Sequence, residues 1–280
     1  MSTDLLHRYI FEDVAIRGEC VQINNTFQQM IAQHNYPSSV SNLLGELAVA
    51  TALLTATLKF KGKITLQIQG DGPVSLLVVN GDDAQNLRGV ARWQNVEDTQ
   101  TTLAQLVGQG QLVITITPDK GERYQGIVAL DGKDIAECLE HYFERSEQLT
   151  TRLWLRCAHQ DGQACAGGLL LQNLPSAVAI DQENAFHHLA QLTNTIKNEE
   201  LFLLPAQEIL NRLYHQENVR VFEGQAVQFV CGCSRQQTIN AITSLGEDEI
   251  NHILEEDGII TTQCEFCGNQ FQFTAKDFTA

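Results

Sequence analysis

Alternating apolar and polar residues run through most of the first 175 positions. A repeat of two predicts strands with one buried face, and the Gly, Asn, Asp and Pro residues between the runs favour tight turns and antiparallel pairing. Asn80-Gly81 is a typical hairpin turn pair, so we expect the chain to reverse there. The predicted strands lie within residues 6–22, 64–68, 74–79, 87–93, 112–117, 124–130, 153–157 and 166–174.

Helical spacing of apolar residues marks the remainder of this region. Asn25 is expected to cap a short helix that ends near Ile31. Pro37 is expected to begin a long helix that reaches about Lys59, and its Ala, Leu and Thr content predicts burial on most sides. A second amphipathic helix is expected over 133–147. These patterns predict an α+β fold in which an antiparallel sheet packs with long helices, over residues 1–178.

From Ser176 the pattern changes to helices with thin apolar cover, the second of which opens at Pro205. Because short helices of this kind depend on packing, we predict a metastable helical linker over 179–226 that docks on the large domain. His187 and His188 are expected to be a solvated or interface pair rather than ligands. The residues expected to make the docking stripe are Phe186, Leu189, Leu192, Ile196, Ile209, Leu210 and Leu213.

Cysteine spacing defines a third segment, 227–280. Cys231 and Cys233 form a C-x-C pair, and Cys264 and Cys267 form a C-x-x-C pair beyond residues 234–263. Two close thiol pairs predict a four-thiolate tetrahedral site, which structural zinc prefers, with each sulfur about 2.3 Å from the metal. We therefore expect one zinc ion per chain, bound by these four residues.

The predicted zinc module is small. A strand is expected on each side of the cysteines, at 227–230 and 269–273, with two short helices between them. The second helix is expected to open at a capping box, Ser244 to Glu247, and to stop at Gly258. Such a module buries little apolar surface, so metal binding, roughly 10 to 16 kcal/mol for structural zinc, should supply most of its folding free energy.

The same thiolates are the groups that peroxide attacks. Oxidation to sulfenic acid and then to disulfide would remove ligands, and each cysteine has a near neighbour that could resolve the intermediate. A purely structural clip and a redox switch therefore both remain open at this point. Cys20, Cys138, Cys157 and Cys165 lack ligand spacing and are expected to be buried as small apolar side chains.

Charge excludes some classes of partner. Lys and Arg total 18 against 34 Asp and Glu, a formal charge of -16, which disfavours nucleic acid and anionic membranes. Within 227–280 the only Lys or Arg residues are Arg235 and Lys276, whereas a nucleic-acid-binding zinc ribbon needs a basic face. The apolar run 43–58 contains Glu46 and falls short of the roughly 20 residues of a membrane span, which predicts a buried core helix. With no secretory signal in the first residues, we expect a reducing, cytoplasmic location.

Catalytic motifs are missing from the sequence. It contains no H-E-x-x-H, G-x-S-x-G or phosphate-loop pattern, and a four-thiolate metal has no open position for substrate. We therefore do not expect an enzyme. Two other classes stay open, a zinc-ribbon interaction module and a thiol-disulfide oxidoreductase, although the latter would need a metal-free pair in a βαβ context.

The two cysteine pairs and five other motifs resemble the heat shock protein 33 family of redox-regulated chaperones, and the resemblance runs nearly end to end. The five motifs are G-D-G-P (70–73), L-R-G-V-A-R (87–92), G-E-R-Y-Q-G (121–126), Y-F-E-R-S-E-Q-L (142–149) and A-G-G (166–168). The family pattern does not include Cys20, Cys157 and Cys165.

This resemblance implies an ATP-independent holdase that is inactive when reduced and zinc-bound. It implies that oxidation forms the disulfides Cys231 to Cys233 and Cys264 to Cys267, releases zinc, unfolds the linker and exposes a surface for unfolding client proteins. It also implies a homodimer in the oxidised form, with no nucleic-acid or membrane partner.

Overall fold

The computed structural model describes residues 4–57, 61–97, 99–160, 162–175 and 179–278. The chain forms two compact units, Met1–Phe229 and Val230–Ala280. The residues that we expected in a strand before the first cysteine pair are therefore mostly part of the first unit. The three-part division into 1–178, 179–226 and 227–280 stays a prediction, since compactness separates only two units.

The first unit contains two sheets and the helices packed on them. Its elements in chain order are β1 (Leu5–Phe11), β2 (Ile16–Gln22), α1 (Asn24–Ile31), α2 (Ser38–Thr57), β3 (Gly62–Gly70), β4 (Val74–Asp82), β5 (Asn86–Trp93), α3 (Leu103–Val107), β6 (Gly110–Pro118), β7 (Tyr124–Ala129), α4 (Ile135–Tyr142), a π-helical turn (Phe143–Glu147), β8 (Thr151–Gln160), β9 (Gln163–Asn173), α5 (Ala179–Thr193), α6 (Asn198–Leu203), α7 (Ala206–Leu213), β10 (Val219–Val221), β11 (Gln225–Ala226) and β12 (Gln228–Phe229).

The first sheet has the order β10-β1-β2-β9-β8, with β11 also paired to β1, and the second has the order β12-β5-β4-β3-β6-β7. Every pair is antiparallel except β12 with β5. The predicted α+β class with antiparallel sheets is thus confirmed.

Helix α2 is the central helix, as predicted, and it contacts strands of both sheets. It is the one helix in the described ranges that is long and apolar enough to cross a membrane, yet most of it is buried in the core. Its Thr51 and Thr55 hydroxyls donate to carbonyls one turn earlier, so they are satisfied within the apolar interior. The predicted end near Lys59 lies outside the described residues.

Two local predictions in this unit are wrong. The chain does not reverse at Asn80-Gly81, because β4 continues to Asp82 and the turn spans residues 83–85, the last of which, Gln85, has a φ of 60°. Gly81 instead permits close packing on α2, since a Cβ there would lie 2.9 Å from Thr55 Oγ1.

Asn25 does not cap α1, which begins at Asn24 after Ile23. The side chain of Asp4 accepts hydrogen bonds from the backbone N–H groups of Asn25 and Thr26, so the cap comes from a residue distant in sequence.

The second unit contains two helices, a hairpin and a 3-10 turn: α8 (Arg235–Thr243), α9 (Glu247–Asp257), β13 (Ile260–Gln263), β14 (Gln270–Phe273) and Ala275–Asp277. In the described part of this unit, its core consists of four buried side chains with a few half-buried ones around them. The four are Ile242, Ile250, Ile260 and Phe273.

The predicted capping box of α9 is absent. Ser244 Oγ donates back to the carbonyl of Ala241, and Gly246, with a φ of 99°, precedes the helix. Three acidic residues in the first turn are the favourable charges at this end instead. The predicted stop at Gly258 is confirmed, because this residue takes the left-handed conformation with a φ of 72°.

Candidate metal centre and linker interface

The fold of the second unit brings four thiols together. Cys231 and Cys233 lie in the loop before α8, and Cys264 and Cys267 lie in the connection between β13 and β14. Their sulfur atoms all lie within 4.8 Å of one another, with 3.4 Å between Cys231 and Cys264 and 3.5 Å between Cys233 and Cys267. Sulfurs at about 2.3 Å from one tetrahedral ion are about 3.8 Å apart, so this spacing fits a metal held by four thiolates.

Glycine geometry shapes both loops. Gly232 has a φ of 67°, and a Cβ on it would meet nothing within 4 Å, so its conformation rather than lack of space requires glycine. Gly268 has a φ of 73° and donates its N–H to the Cys264 carbonyl at 2.8 Å. Cys264 N–H in turn donates to the Asn269 carbonyl at 2.8 Å, which closes the loop that carries the second pair.

Burial and backbone N–H groups act in opposite directions on the protonation of the sulfurs. Burial raises the pKa of the Cys264 thiol, but hydrogen bonds from the backbone N–H groups of Cys267 and Phe266, together with those from neighbouring thiols, outweigh it, and the net pKa lies below the usual value. At Cys231 burial prevails and the pKa is raised, despite a hydrogen bond from the Cys233 N–H. Four clustered thiols of this kind form a donor set suited to a soft cation, which replaces their protons.

Arg235 is a positioning residue that the sequence patterns did not reveal. Its guanidinium donates to the Gln272 carbonyl and to Asp277, both at 2.7 Å, and stacks on Phe273 at 4.5 Å. It therefore ties the helix after the first cysteine pair to the strand after the second pair. An isolated basic residue two positions after a C-x-C pair in an acidic segment was the available signal.

Helices α5, α6 and α7, which lie in the predicted linker segment, cover one face of the first sheet and are called the linker helices below. Phe186, Leu189, Ile209, Leu210 and Leu213 of the expected stripe are buried, and Leu192 and Ile196 are half-buried beside them. The strand residues of the same cluster include Tyr9, Phe11, Ile16, Cys20, Leu169 and Leu171. The sequence did not predict α6, which adds Leu201 and Phe202 to this cluster.

Polar groups reinforce the same interface. Tyr214 packs its ring against Phe11, and its hydroxyl lies 2.6 Å from Thr193 Oγ1 and 3.5 Å from the Tyr9 hydroxyl. Gln22 of β2 donates to the carbonyls of Leu201 and Leu204. None of these groups was among the predicted docking residues, because polar contacts over such sequence distances leave no local pattern.

The remaining predicted positions belong to the first unit, whereas the thiol cluster belongs to the second. Cys20, Cys138 and Cys165 are buried, as predicted, whereas Cys157 is half-buried. Burial raises the pKa of Cys20 to about 12, which makes it a poor nucleophile. His187 and His188 are exposed in the first unit, and His188 lies 3.1 Å from Glu217.

Comparison with known proteins places these features in a family. A family model described as "Hsp33 protein" matches residues 4–274. The chain is 54% identical over 273 residues to the 33 kDa chaperonin of Vibrio cholerae, covering 98% of this chain and 93% of that protein. It is 56% identical over 275 residues to the 33 kDa chaperonin of Yersinia pestis, again with 98% and 93% coverage.

A solved structure shares the fold. The crystal structure of the 33 kDa chaperonin (heat shock protein 33 homolog) of Thermotoga maritima matches with a TM-score of 0.83 at 21% identity, covering 98% of this chain and 96% of that one. The near-complete match to the family model and the identities above 50% establish more than the fold. The chain therefore belongs to the Hsp33 family, whose members are chaperones and not enzymes.

Proposed function

We propose that this protein is a redox-regulated, ATP-independent holdase that is inactive while reduced and zinc-bound. The observation that carries the proposal is the four-thiol cluster in a unit with only four buried core side chains among its described residues. So small a core depends on a bound metal for its stability. When bound, zinc would hold the four sulfurs as thiolates and thereby hold the two loops together.

Oxidation supplies the switch. A thiolate attacks hydrogen peroxide and becomes sulfenic acid with loss of hydroxide, and a neighbouring thiol then displaces water from it to form a disulfide. Two thiols are thus oxidised by two electrons, and the peroxide is reduced. Each disulfide removes two ligands, so the metal is released and the second unit loses its main source of stability.

We propose the pairings Cys231 to Cys233 and Cys264 to Cys267, as the family resemblance implies. Two short sulfur distances in the folded cluster run between the pairs, 3.4 Å from Cys231 to Cys264 and 3.5 Å from Cys233 to Cys267. Once the unit unfolds, however, the cost of loop closure favours cysteines that are near in sequence. Mass spectrometry of oxidised protein distinguishes the two patterns, because only cross-pairing would link peptides from residues near 231 and near 264.

Release of the linker creates the binding surface. The apolar face of the first sheet and the stripe on α5, α6 and α7 cover one another in the reduced protein. Their separation would expose a continuous apolar patch larger than soluble monomers usually show. We propose that unfolding client proteins bind there, that a second copy associates in the oxidised form, and that the protein works in the cytoplasm, where its thiols stay reduced until stress.

Light scattering of a thermally unfolding client tests the proposal. Peroxide-treated protein should suppress aggregation without ATP, while reduced, zinc-loaded protein should not. Equal suppression by both forms would contradict redox regulation. Reduction of insulin at a catalytic rate would instead indicate an oxidoreductase, and activity lost with the zinc module but unaffected by peroxide would indicate an interaction module.

A further inference from the structure

Strand β7 forms a free edge of the second sheet. It lies at the end of the order β12-β5-β4-β3-β6-β7, and within the described part of the chain it pairs with β6 alone. Its sequence, Tyr-Gln-Gly-Ile-Val-Ala, contains none of the charged or proline residues that commonly protect edge strands. Ile127 in its centre is 68% exposed, the largest exposed fraction among the large apolar side chains of the described residues.

The pattern of backbone bonds identifies which groups of β7 face outward. The Asp119 N–H donates to the Lys61 carbonyl, and this pair continues the register of β3 with β6. Because hydrogen-bonded pairs alternate along an antiparallel ladder, the odd-numbered residues of β6 bond to β3. Its even-numbered residues must then bond to β7, opposite Tyr124, Gly126 and Val128. The N–H and C=O groups of Gln125, Ile127 and Ala129 therefore point away from the sheet, and no described residue hydrogen-bonds to them.

The edge at β8 of the first sheet is treated differently. Helix α4 contacts both β8 and β7, but at β8 one of its side chains takes up an outward backbone group, because Glu140 accepts a hydrogen bond of 2.8 Å from the Leu153 N–H. At β7 its Tyr142 lies on the face of the strand, against Gly126 and 2.7 Å from the Tyr124 hydroxyl, and does not bond to the outward backbone groups. The β8 edge thus has a side chain bonded to its backbone, whereas the β7 edge has neither a bonded side chain nor a charged residue of its own. This difference indicates that the β7 edge is available for pairing. A strand that is free on one side is a template for a further strand.

We infer that β7 pairs antiparallel with β7 of a second copy of this chain, joining two second sheets across a two-fold axis at Ile127. In that register Ile127 faces its own copy, and Gln125 faces Ala129 of the second copy, so each opposed pair exchanges two hydrogen bonds through the outward groups. The two Ile127 side chains then meet on the same face. This inference rests on the proposed function only in naming a surface for the proposed dimerisation.

Charge at the ends of the strand matches the same register. Arg123 precedes β7 and would face Asp131 of the second copy, because both are four residues from Ile127. Asp131 already accepts from Arg145 at 2.8 Å and lies 3.0 Å from His141, so its carboxylate is held in place. Opposite charges at both ends of a short antiparallel pair favour this register over a parallel one, in which like charges would meet.

This edge lies on the sheet that does not carry the linker helices. We therefore expect weak, concentration-dependent pairing in the reduced protein. Release of the linker would add a second contact and strengthen the dimer, because two linked contacts raise the effective concentration.

Cross-linking through single new cysteines tests the register. Opposed Cα atoms in a hydrogen-bonded pair are about 5.5 Å apart, which a disulfide spans. Ile127→Cys should therefore form a disulfide-linked dimer in a glutathione buffer that leaves the metal content of the unsubstituted chain unchanged. Gln125→Cys is the matched control, because its own copy would lie about 14 Å away in this register. A mixture of Gln125→Cys and Ala129→Cys should cross-link.

Sedimentation measures the association itself. Ile127→Lys should raise the dissociation constant of the dimer at least about tenfold, since it places like charges opposite one another at the edge. Gln69→Lys adds the same charge at an exposed position of β3, which is paired on both sides, and should change the constant less than about twofold. Equal cross-linking of Ile127→Cys and Gln125→Cys, or a dimer that Ile127→Lys leaves intact, would overturn the inference. Peroxide-activated holdase activity in the same samples would then show that the proposed function stands without this interface.

Discussion

At the scale of single residues, Glu19 is a carboxylic acid inside the first unit. It is 1% exposed, its Oε2 atom has no hydrogen-bond partner among the described residues, and burial raises its pKa to about 7 although Arg17 and Arg8 oppose the shift. The folded state therefore binds a proton that the unfolded state has lost between about pH 4.5 and 7. Over this window the free energy of unfolding should fall as pH rises.

Glu19→Gln tests this sign. The substitution removes the titration, so the variant should gain stability relative to the unsubstituted protein as pH rises from about 5 to 8, by up to about 3 kcal/mol. Urea unfolding at both pH values measures the difference, with exposed Glu122→Gln as the control. Burial also raises the pKa of Glu46 to about 7, so the free energy of unfolding of the Glu19→Gln variant should still fall somewhat with pH. An equal pH dependence of the free energy of unfolding in Glu19→Gln and in the unsubstituted protein would contradict the prediction.

Serine substitutions test the ligand set at the same scale. Cys231→Ser and Cys264→Ser each remove one sulfur from the cluster, and we expect both proteins to lose their zinc, because a structural site with a neutral hydroxyl in place of a thiolate binds far more weakly. Metal analysis after gel filtration measures the content. Cys157→Ser, a half-buried cysteine outside the cluster, should keep one zinc per chain. Full metal content in either cluster variant would refute the assignment.

At the scale of elements, α7 is the helix whose docking can be weakened without touching the cysteines. The double variant Ile209→Glu with Leu213→Glu places two carboxylates in a buried interface. The free-energy cost of burying these charges exceeds the free energy that packing of the helix contributes, so α7 should detach. We expect this variant to bind an apolar dye and to prevent client aggregation while reduced and zinc-loaded.

The control for this variant is Leu203→Glu, which changes a residue of α6 that is 61% exposed. It should behave as the unsubstituted protein. A folded, metal-loaded double variant that stays inactive until oxidised would mean that the binding surface resides in the unfolded zinc module and not under the linker.

Elements that depend on periodicity were predictable, and those that depend on distant contacts were not. The alternation at 64–68 and the apolar run of α2 gave the correct element type, because each records burial directly in the sequence. Asn80-Gly81 failed as a turn because Gly81 is needed for packing on α2, and that reason lies in another element. Asn25 failed as a cap because Asp4 supplies the hydrogen bonds.

At the scale of the whole molecule, the first unit has two apolar cores. One lies around α2 between the sheets and includes residues of both, and the other lies under the linker helices. Loss of the second core should leave the first intact. After peroxide treatment, limited proteolysis should cut within 179–280 and leave a resistant fragment of about residues 1–175. Reduced protein should resist at the same protease dose, and cleavage spread evenly along the oxidised chain would contradict the prediction.

The thiol cluster was the most predictable part of the molecule, because C-x-C and C-x-x-C spacing is a local requirement of tetrahedral binding. The path of the linker was the least predictable. After α7 the chain returns to pair β10 and β11 with β1, so that Val221 lies opposite Tyr9. Short strands that pair across more than 200 residues show no periodicity of their own, and only the completed sheet explains them.

That return fastens the predicted linker by strands at its downstream end, and under the proposed mechanism these strands would set the order in which it is released. Phe229 of β12, which pairs with Leu87 of β5, stands two residues before Cys231, whereas β11 and β10 lie progressively further upstream. A disturbance that begins at the cysteines therefore meets β12 first, then β11, then β10, and reaches the helices last. Each strand is short and would give up few hydrogen bonds, so under the proposed mechanism detachment would advance by small reversible steps instead of crossing one large barrier. A brief oxidant pulse would then be reversed before the apolar face is uncovered, and the duration of stress, as well as its strength, would determine whether the protein is activated.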